Sequence, residues 1–189
     1  MEISRSLLVA MMFVVILSIG IGTILSSLAG IINRRMWTKF DRIHLQWLFL
    51  ILLAHFNLFW HTVDILSVDD WGFAGFLYII TGPILIFFAT NVLVPDDARL
   101  QSGDVDNLYF DVSPQFFRLL AAMQVWVLGG DLLMGTGMTI PGWVNVGIAV
   151  VAIFLSFNRE RATHAAMTIV MWGIFVAVIT LRGLGVFDF

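Results

Sequence analysis

The sequence predicts an all-α membrane protein, a single polytopic bundle of six transmembrane helices. Hydrophobic residues make up 60% of the 189 residues and charged residues only 12%, a composition that compact water-soluble proteins do not have. The apolar residues also fall into six runs, each about long enough to cross the ~30 Å hydrocarbon core of a bilayer as a helix. Because these runs use almost all the apolar residues, we expect one membrane domain over residues 1–189.

The predicted helices follow one another through short connections, apart from one acidic loop. The first is too long for the core of a signal peptide and lacks a small-residue cleavage pattern, so we expect it to be retained. The third ends before Pro95, and the loop 95–115 that follows carries five aspartates and a single arginine. In chain order the six helices are predicted over residues 6–32, 45–66, 72–94, 116–136, 141–157 and 163–187.

The basic residues predict how the helices are oriented. Lys and Arg in short loops remain on the cytoplasmic side of a membrane. Eight of the ten cations lie in or beside the loops that follow helices 1, 3 and 5, and only Arg5 and Arg182 lie on the opposite side. The sequence therefore predicts both termini on the non-cytoplasmic side and the acidic loop in the cytoplasm.

The second helix carries polar residues on two opposite faces. At about 100° per residue, Asn57, His61 and Asp64 fall on one face and His55 falls on nearly the opposite one. A helix with polar groups on two sides is not expected to face lipid broadly, so we expect it at the centre of the bundle. Gln46 belongs to the first face, and His44 and Thr62 belong to the second.

A cluster of ionisable residues is predicted in the outer third of the membrane, and it supports two hypotheses. In the functional one, Asp64 and Asp131 accept protons or cations at the mouth of a path, His61 tunes Asp64, and Arg182 supplies a counter-charge. In the structural one, Arg182 pairs with one of the carboxylates and pins helices together. With the polar residues near mid-membrane, the pathway candidates are His55, Asn57, His61, Asp64, Gln124, Asp131 and Arg182.

Two further patterns concern helix geometry. Pro83 lacks a backbone N–H and falls near mid-membrane, which predicts a kink in the third helix. The first helix has small residues at four-residue spacing, which let helices approach closely, either within one bundle or between protomers. These predicted packing residues are Ser18, Gly22, Ser26 and Gly30.

No metal site, cofactor or catalytic centre is expected. The chain has no cysteine, which excludes disulfides, thiolate metal sites and iron–sulfur clusters. A haem held by His44 and His164 is conceivable, because both lie near the cytoplasmic boundary, but it is not the interpretation that we adopt. The sequence contains no Gly-x-Ser-x-Gly, no His-Glu-x-x-His and no phosphate-binding glycine loop, so we expect no enzyme.

The loop after the third helix and the residues beside it resemble segments of known proteins. The segment Val94-Pro95-Asp96-Asp97, the stretch at 104–110 and the pair Phe116-Phe117 are similar to those of a scattered group of small six-helix bacterial inner-membrane proteins. No activity is assigned to that group. The resemblance therefore implies a multi-pass protein of the bacterial inner membrane and implies no particular activity.

Two functions from different classes remain open at this point. A small channel or transporter for protons or ions would explain the polar second helix and the predicted kink. A non-catalytic accessory or scaffold subunit of a membrane complex would explain the short loops and the small residues of the first helix. The expected partners are the lipid bilayer, copies of the same chain and, in the second case, another membrane subunit. The net charge of −3 argues against nucleic acid.

Overall fold

The chain is helical throughout the part that the structure describes. The computed structural model describes residues 4–36, 39–67, 71–102, 107–133 and 140–183, and contains no strand within these ranges. Six of its helices have 18 residues or more, and two are short. In order they are α1 (Arg5–Asn33), α2 (Arg42–Trp60), α3 (Thr62–Leu66), α4 (Phe73–Leu93), α5 (Asp97–Ser102), α6 (Leu108–Leu133), α7 (Ile140–Phe157) and α8 (Arg161–Gly183).

The prediction of an all-helical protein is confirmed, and several helices suit a membrane. Four helical segments are long and apolar enough to cross one, at Arg5–Asn33, Arg42–Leu66, Phe73–Gln101 and Arg161–Leu181. A shorter apolar helix covers Gly142–Phe157. That six helices cross the membrane, and on which side the termini lie, stay predictions.

Side-chain caps explain where several helices begin. Ser4 accepts a hydrogen bond from the backbone N–H of Leu7 at the start of α1. Asp41 caps α2 by accepting from the N–H of Ile43 at 2.8 Å. Such oxygens satisfy donors that the first turn of a helix leaves without an intrahelical partner.

The contacts between helices define two ends of the bundle. At the first, Gly30 of α1 lies beside Leu100 of α5, and the starts of α2, α6 and α8 meet. We call this the loop end, because the connections α1–α2, α4–α6 and α7–α8 lie there. At the other, which we call the terminal end, α3 and the start of α4 lie beside the first turns of α1.

The predicted acidic loop is shorter than expected. Asp97–Ser102 forms α5, and α6 begins at Leu108 and continues through Pro114, so part of the segment 95–115 is helical. Burial explains the early start of α6, because Leu108, Tyr109, Phe116 and Phe117 all lie in the core. The packing of these large side chains outweighs the acidic composition around them and the N–H that Pro114 lacks.

Two other predicted features of the helices differ in detail. The second helix is interrupted after Trp60, where His61 ends α2 and α3 begins at Thr62. Pro83 is buried inside α4, which stays helical from Phe73 to Leu93. Pro83 therefore does not end its helix, and the kink stays a prediction.

The small-residue stripe of α1 does not pack within the bundle. Ser18, Gly22 and Ser26 are exposed, and a Cβ on Gly22 would meet nothing within 4 Å. The inward face of α1 is the one that carries Leu17 and Gly20, together with the buried residues Phe13, Ile24, Ser27 and Ile31. Large apolar side chains fill that interface more fully than the stripe would. Packing of the stripe within one bundle is therefore wrong for these three residues, whereas Gly30 is half-buried beside Leu100.

Candidate functional site

The polar face that carries Asn57 of α2, the junction residue His61 and Asp64 of α3 points out of the bundle. His61 Nδ1 and the Asp64 carboxylate lie 2.8 Å apart, with side chains 31% and 62% exposed. Asn57 is exposed as well. The structure thus pairs His61 with Asp64 but keeps both out of the interior.

The remaining candidates are distributed over α6 and α8. Gln124 is buried in α6. Asp131 and Arg182 belong to α6 and α8, but their side chains lie outside the part of the chain that the structure describes. The predicted approach of Asp131 and Arg182 to Asp64 therefore stays a prediction.

The other face of α2 points into the interior of the bundle. His44 and His55 are fully buried on it, and the Oγ1 atom of Thr62 is buried at its far end. His55 Nδ1 lies 2.8 Å from the carbonyl oxygen of Ile51. A carbonyl only accepts, so the proton of a neutral imidazole is on Nδ1 and Nε2 carries a lone pair. That Nε2 atom faces Gly20 of α1 and has no hydrogen-bond partner among the described residues.

His44 meets a tyrosine and a second histidine at the loop end. Its Nε2–H donates to the carbonyl of Leu93, at the end of α4, over 2.6 Å. Its ring centroid lies 6.0 Å from that of Tyr109, whose hydroxyl is 2.7 Å from His164 Nδ1. His44, Tyr109 and His164 come from α2, α6 and α8 and are all fully buried. We call them the Tyr–His cluster.

The second histidine of the cluster has a partner on each ring nitrogen. His164 Nε2 lies 2.9 Å from the carbonyl oxygen of Asn158, which only accepts, so the Nε2 atom carries the proton. Nδ1 then accepts from the Tyr109 hydroxyl. Both histidines of the cluster are thus held as the Nε2–H tautomer by backbone carbonyls. The His44 Nδ1 lone pair has no partner among the described residues.

Other polar atoms near the cluster are also buried without partners in the described part of the chain. Ser113 lies one turn after Tyr109 on α6, and Thr90 lies one turn before Leu93 on α4. The atoms concerned are Ser113 Oγ and Thr90 Oγ1. The Trp47 indole, one turn after His44 on α2, instead hydrogen-bonds to the Tyr109 hydroxyl. Buried polar groups normally have a partner, and a buried water is the usual one where protein atoms supply none.

An ion pair closes the cluster on the side of the loops. The guanidinium of Arg161 binds Asp41 through two contacts, at 2.6 and 3.2 Å, and so joins the start of α8 to the start of α2. Tyr109 is fully buried, and burial disfavours the charged phenolate form of its side chain. Tyr109 therefore remains a neutral phenol that can donate and accept hydrogen bonds.

Comparison with protein-family models, curated proteins and solved structures gives no match for this chain. The class of the protein accordingly rests on its own fold, an all-α bundle with helices that can span a membrane. No group of three or more His, Asp or Glu side chains is placed to hold a metal ion within the described ranges.

Sequence reasoning did not find Tyr109, because it lies in the segment predicted as an acidic loop. His44 and His164 were considered only as a haem pair, and the structure instead joins them through the Tyr109 side chain. A usable signal existed: Leu108-Tyr109-Phe110 is an apolar triplet between Asp106 and Asp111. Such a triplet in a polar segment indicates residues that are buried in the folded protein.

Proposed function

We propose that this protein is a small membrane channel or transporter that moves protons along the buried polar face of α2. That face carries His44 and His55 and continues to Thr62, the first residue of α3. The observation that carries the proposal is that each of the three has one buried polar atom without a hydrogen-bond partner among the described residues. These atoms are His44 Nδ1, His55 Nε2 and Thr62 Oγ1.

The spacing of the three residues supports a path rather than scattered defects. At about 100° per residue His44 and His55 of α2 lie about 20° apart around the helix axis, and Thr62 follows as the first residue of α3, beyond the junction at His61. The 18 steps from position 44 to position 62 correspond to a rise of ~27 Å in a continuous helix, close to the ~30 Å hydrocarbon core of a bilayer, and the apolar segment Arg42–Leu66 contains all of them. A line of polar atoms of this length matches the distance that a proton has to cross.

The energetics of these atoms also support the proposal. Leaving a buried donor or acceptor unsatisfied costs about 1–3 kcal/mol, and more where no water can enter. Internal water would supply the missing partners. Imidazole and hydroxyl groups joined by water can take up a proton and release it again, which is why they recur in proton pathways through membranes.

The outer aspartates and the membrane topology belong to the same proposal. Asp64, exposed and two residues beyond Thr62, would collect protons at the terminal end together with Asp131, as the sequence predicts. The basic residues around the loop end favour a cytoplasmic location for it, in a bacterial inner membrane that all six long helices cross. Proton movement of this kind needs no cofactor and no catalytic centre.

A reconstituted flux measurement tests the proposal. Purified protein is placed in liposomes that contain a pH-sensitive dye, and a potassium gradient with valinomycin drives proton entry. We expect His55→Leu to reduce the rate by about tenfold or more, since it removes the ring in the middle of the path. The matched control is Phe56→Leu, at the next position of the same helix, which replaces a 49% exposed ring by leucine and should conduct like the wild type. Wild-type liposomes that are no more permeable than empty ones would overturn the proposal.

One observation favours the second candidate, an accessory or scaffold subunit. The surface over Ser18, Gly22 and Ser26 is open, and such a stripe allows another helix to approach closely. Under this alternative the complex released gently from membranes contains a second polypeptide. A homo-oligomer or a monomer together with measurable proton flux would favour the pathway instead.

A further inference from the structure

The hydrogen bonds of the Tyr–His cluster form a directed chain at the loop end. The Tyr109 hydroxyl donates to His164 Nδ1 over 2.7 Å, and His164 Nε2–H donates to the Asn158 carbonyl over 2.9 Å. Tyr109 and His164 are fully buried, whereas Asn158 lies in the connection between α7 and α8 and is half-buried. This chain of hydrogen bonds therefore leads from the interior of the bundle to its surface.

At its inner end, this chain of hydrogen bonds approaches α2. The Tyr109 ring contacts that of His44, the residue at which the buried polar face of α2 ends. The Nδ1 atom of His44 lacks a partner in the described part of the structure, whereas the indole N–H of Trp47, one turn further along α2, donates to the Tyr109 hydroxyl. A single buried water could donate to the His44 lone pair and also to the Tyr109 oxygen.

We propose that the Tyr109 hydroxyl passes protons between His44 and His164, and that this Tyr–His cluster is the exit of the pathway at the loop end. This inference rests on the proposed function, and it names the residues at the loop end of the proposed pathway. Tyr109 and His164 would act by proton transfer and not merely by holding α6 against α8.

The proton balance requires no further reactant. A proton arriving at His44 Nδ1 moves through one water to the Tyr109 oxygen as the Tyr109 O–H proton moves to His164 Nδ1. Tyr109 ends as a neutral phenol, and His164 is for a moment an imidazolium. His164 then releases its Nε2 proton to water beside Asn158, which leaves the Nδ1–H tautomer. Rotation of the Tyr109 hydroxyl resets the tyrosine, and a turn of the His164 ring, in which Nδ1 gives its proton to that water as Nε2 takes one back, resets the histidine.

The flux assay with paired variants tests the inference. Tyr109→Phe removes the hydroxyl, and Tyr78→Phe is its control, because Tyr78 is the only other tyrosine and its hydroxyl binds the Trp126 carbonyl away from this path. His164→Asn is the variant that separates transfer from structure. The Asn oxygen can replace Nδ1 as the acceptor for Tyr109, but an amide cannot relay a proton.

We expect Tyr109→Phe and His164→Asn each to reduce flux by about tenfold or more, while Tyr78→Phe conducts like the wild type. The wild-type rate should also fall in deuterated water, and the residual rate of His164→Asn should lose that dependence. If the wild type conducts and His164→Asn conducts equally well, the relay is wrong and the pathway along α2 stands. If the wild type does not conduct, both proposals are wrong. Should Tyr109→Phe fail to fold, His164→Asn decides alone.

Discussion

The imidazole of His55 rests directly on Gly20, so that α1 and α2 are in close contact midway along α1. A Cβ at Gly20 would collide with His55 Nε2 and come within 3.0 Å of Cδ2. Gly20 is buried, and the His55 ring fills the space that any larger residue would need. The same contact places the lone pair of His55 between two helices in the interior of the bundle. The position of the proposed pathway therefore depends on a residue of α1 with no side chain.

Gly20→Ala should destabilise the protein and impair the pathway together. Overpacking of a close contact costs about 1–3 kcal/mol, partly offset by the better helix propensity of alanine. The control is Gly22→Ala on the same helix, which meets nothing within 4 Å and should be neutral or slightly stabilising. Unfolding in detergent, followed by circular dichroism, measures the difference. Equal stability of the two variants would contradict the close contact between Gly20 and His55.

Trp126→Phe should weaken the contact between α4 and α6. Trp126 Nε1 donates to the Tyr78 carbonyl over 2.8 Å, the Tyr78 hydroxyl donates back to the Trp126 carbonyl, and the two rings are stacked. Phenylalanine keeps a ring but removes the indole donor, which should cost about 1 kcal/mol. Trp143→Phe is the control, because Trp143 is 63% exposed on α7. A Trp126→Phe variant no less stable than Trp143→Phe would refute this role of the indole N–H.

Asp41 has two tasks that substitutions can separate. It caps α2 and binds Arg161 of α8, which is 62% exposed. Asp41→Asn keeps a good capping residue and loses the ion pair, as does Arg161→Ala, and each should cost less than about 1 kcal/mol because exposed pairs are weak. Asp41→Ala loses both, with about 0.5–2 kcal/mol for the cap alone. Unfolding measurements should thus rank Asp41→Ala as the least stable of the three variants. A larger loss of stability for Arg161→Ala would show instead that the ion pair contributes more than the cap.

Helical spacing predicted which polar residues of α2 share a face, but not which face points inward. The sequence places His44, His55 and Thr62 opposite Asn57, His61 and Asp64, and the structure keeps that division. Orientation depends on what the neighbouring helices supply, such as Gly20 for His55, and spacing along one helix does not contain that information. Tyr109 was missed because it lies in the segment predicted as an acidic loop, and its pairing with His164, 55 residues away, is a contact that local spacing does not contain. The long helices were easier to predict, since runs of about 20 apolar residues are a local signal.

The orientation of the bundle can be tested with single cysteines, because the chain contains none. Lys39 is exposed at the loop end and Ser67 is exposed at the terminal end, directly after α3. If the loop end faces the cytoplasm, as the basic residues predict, a membrane-impermeant maleimide added to intact spheroplasts should label Ser67→Cys and leave Lys39→Cys unlabelled. Permeabilised cells should label both, which shows that Lys39→Cys is reactive. Labelling of Lys39→Cys in intact spheroplasts would invert the topology, so that Asp64 would collect protons on the cytoplasmic side and the Tyr–His cluster would release them outside.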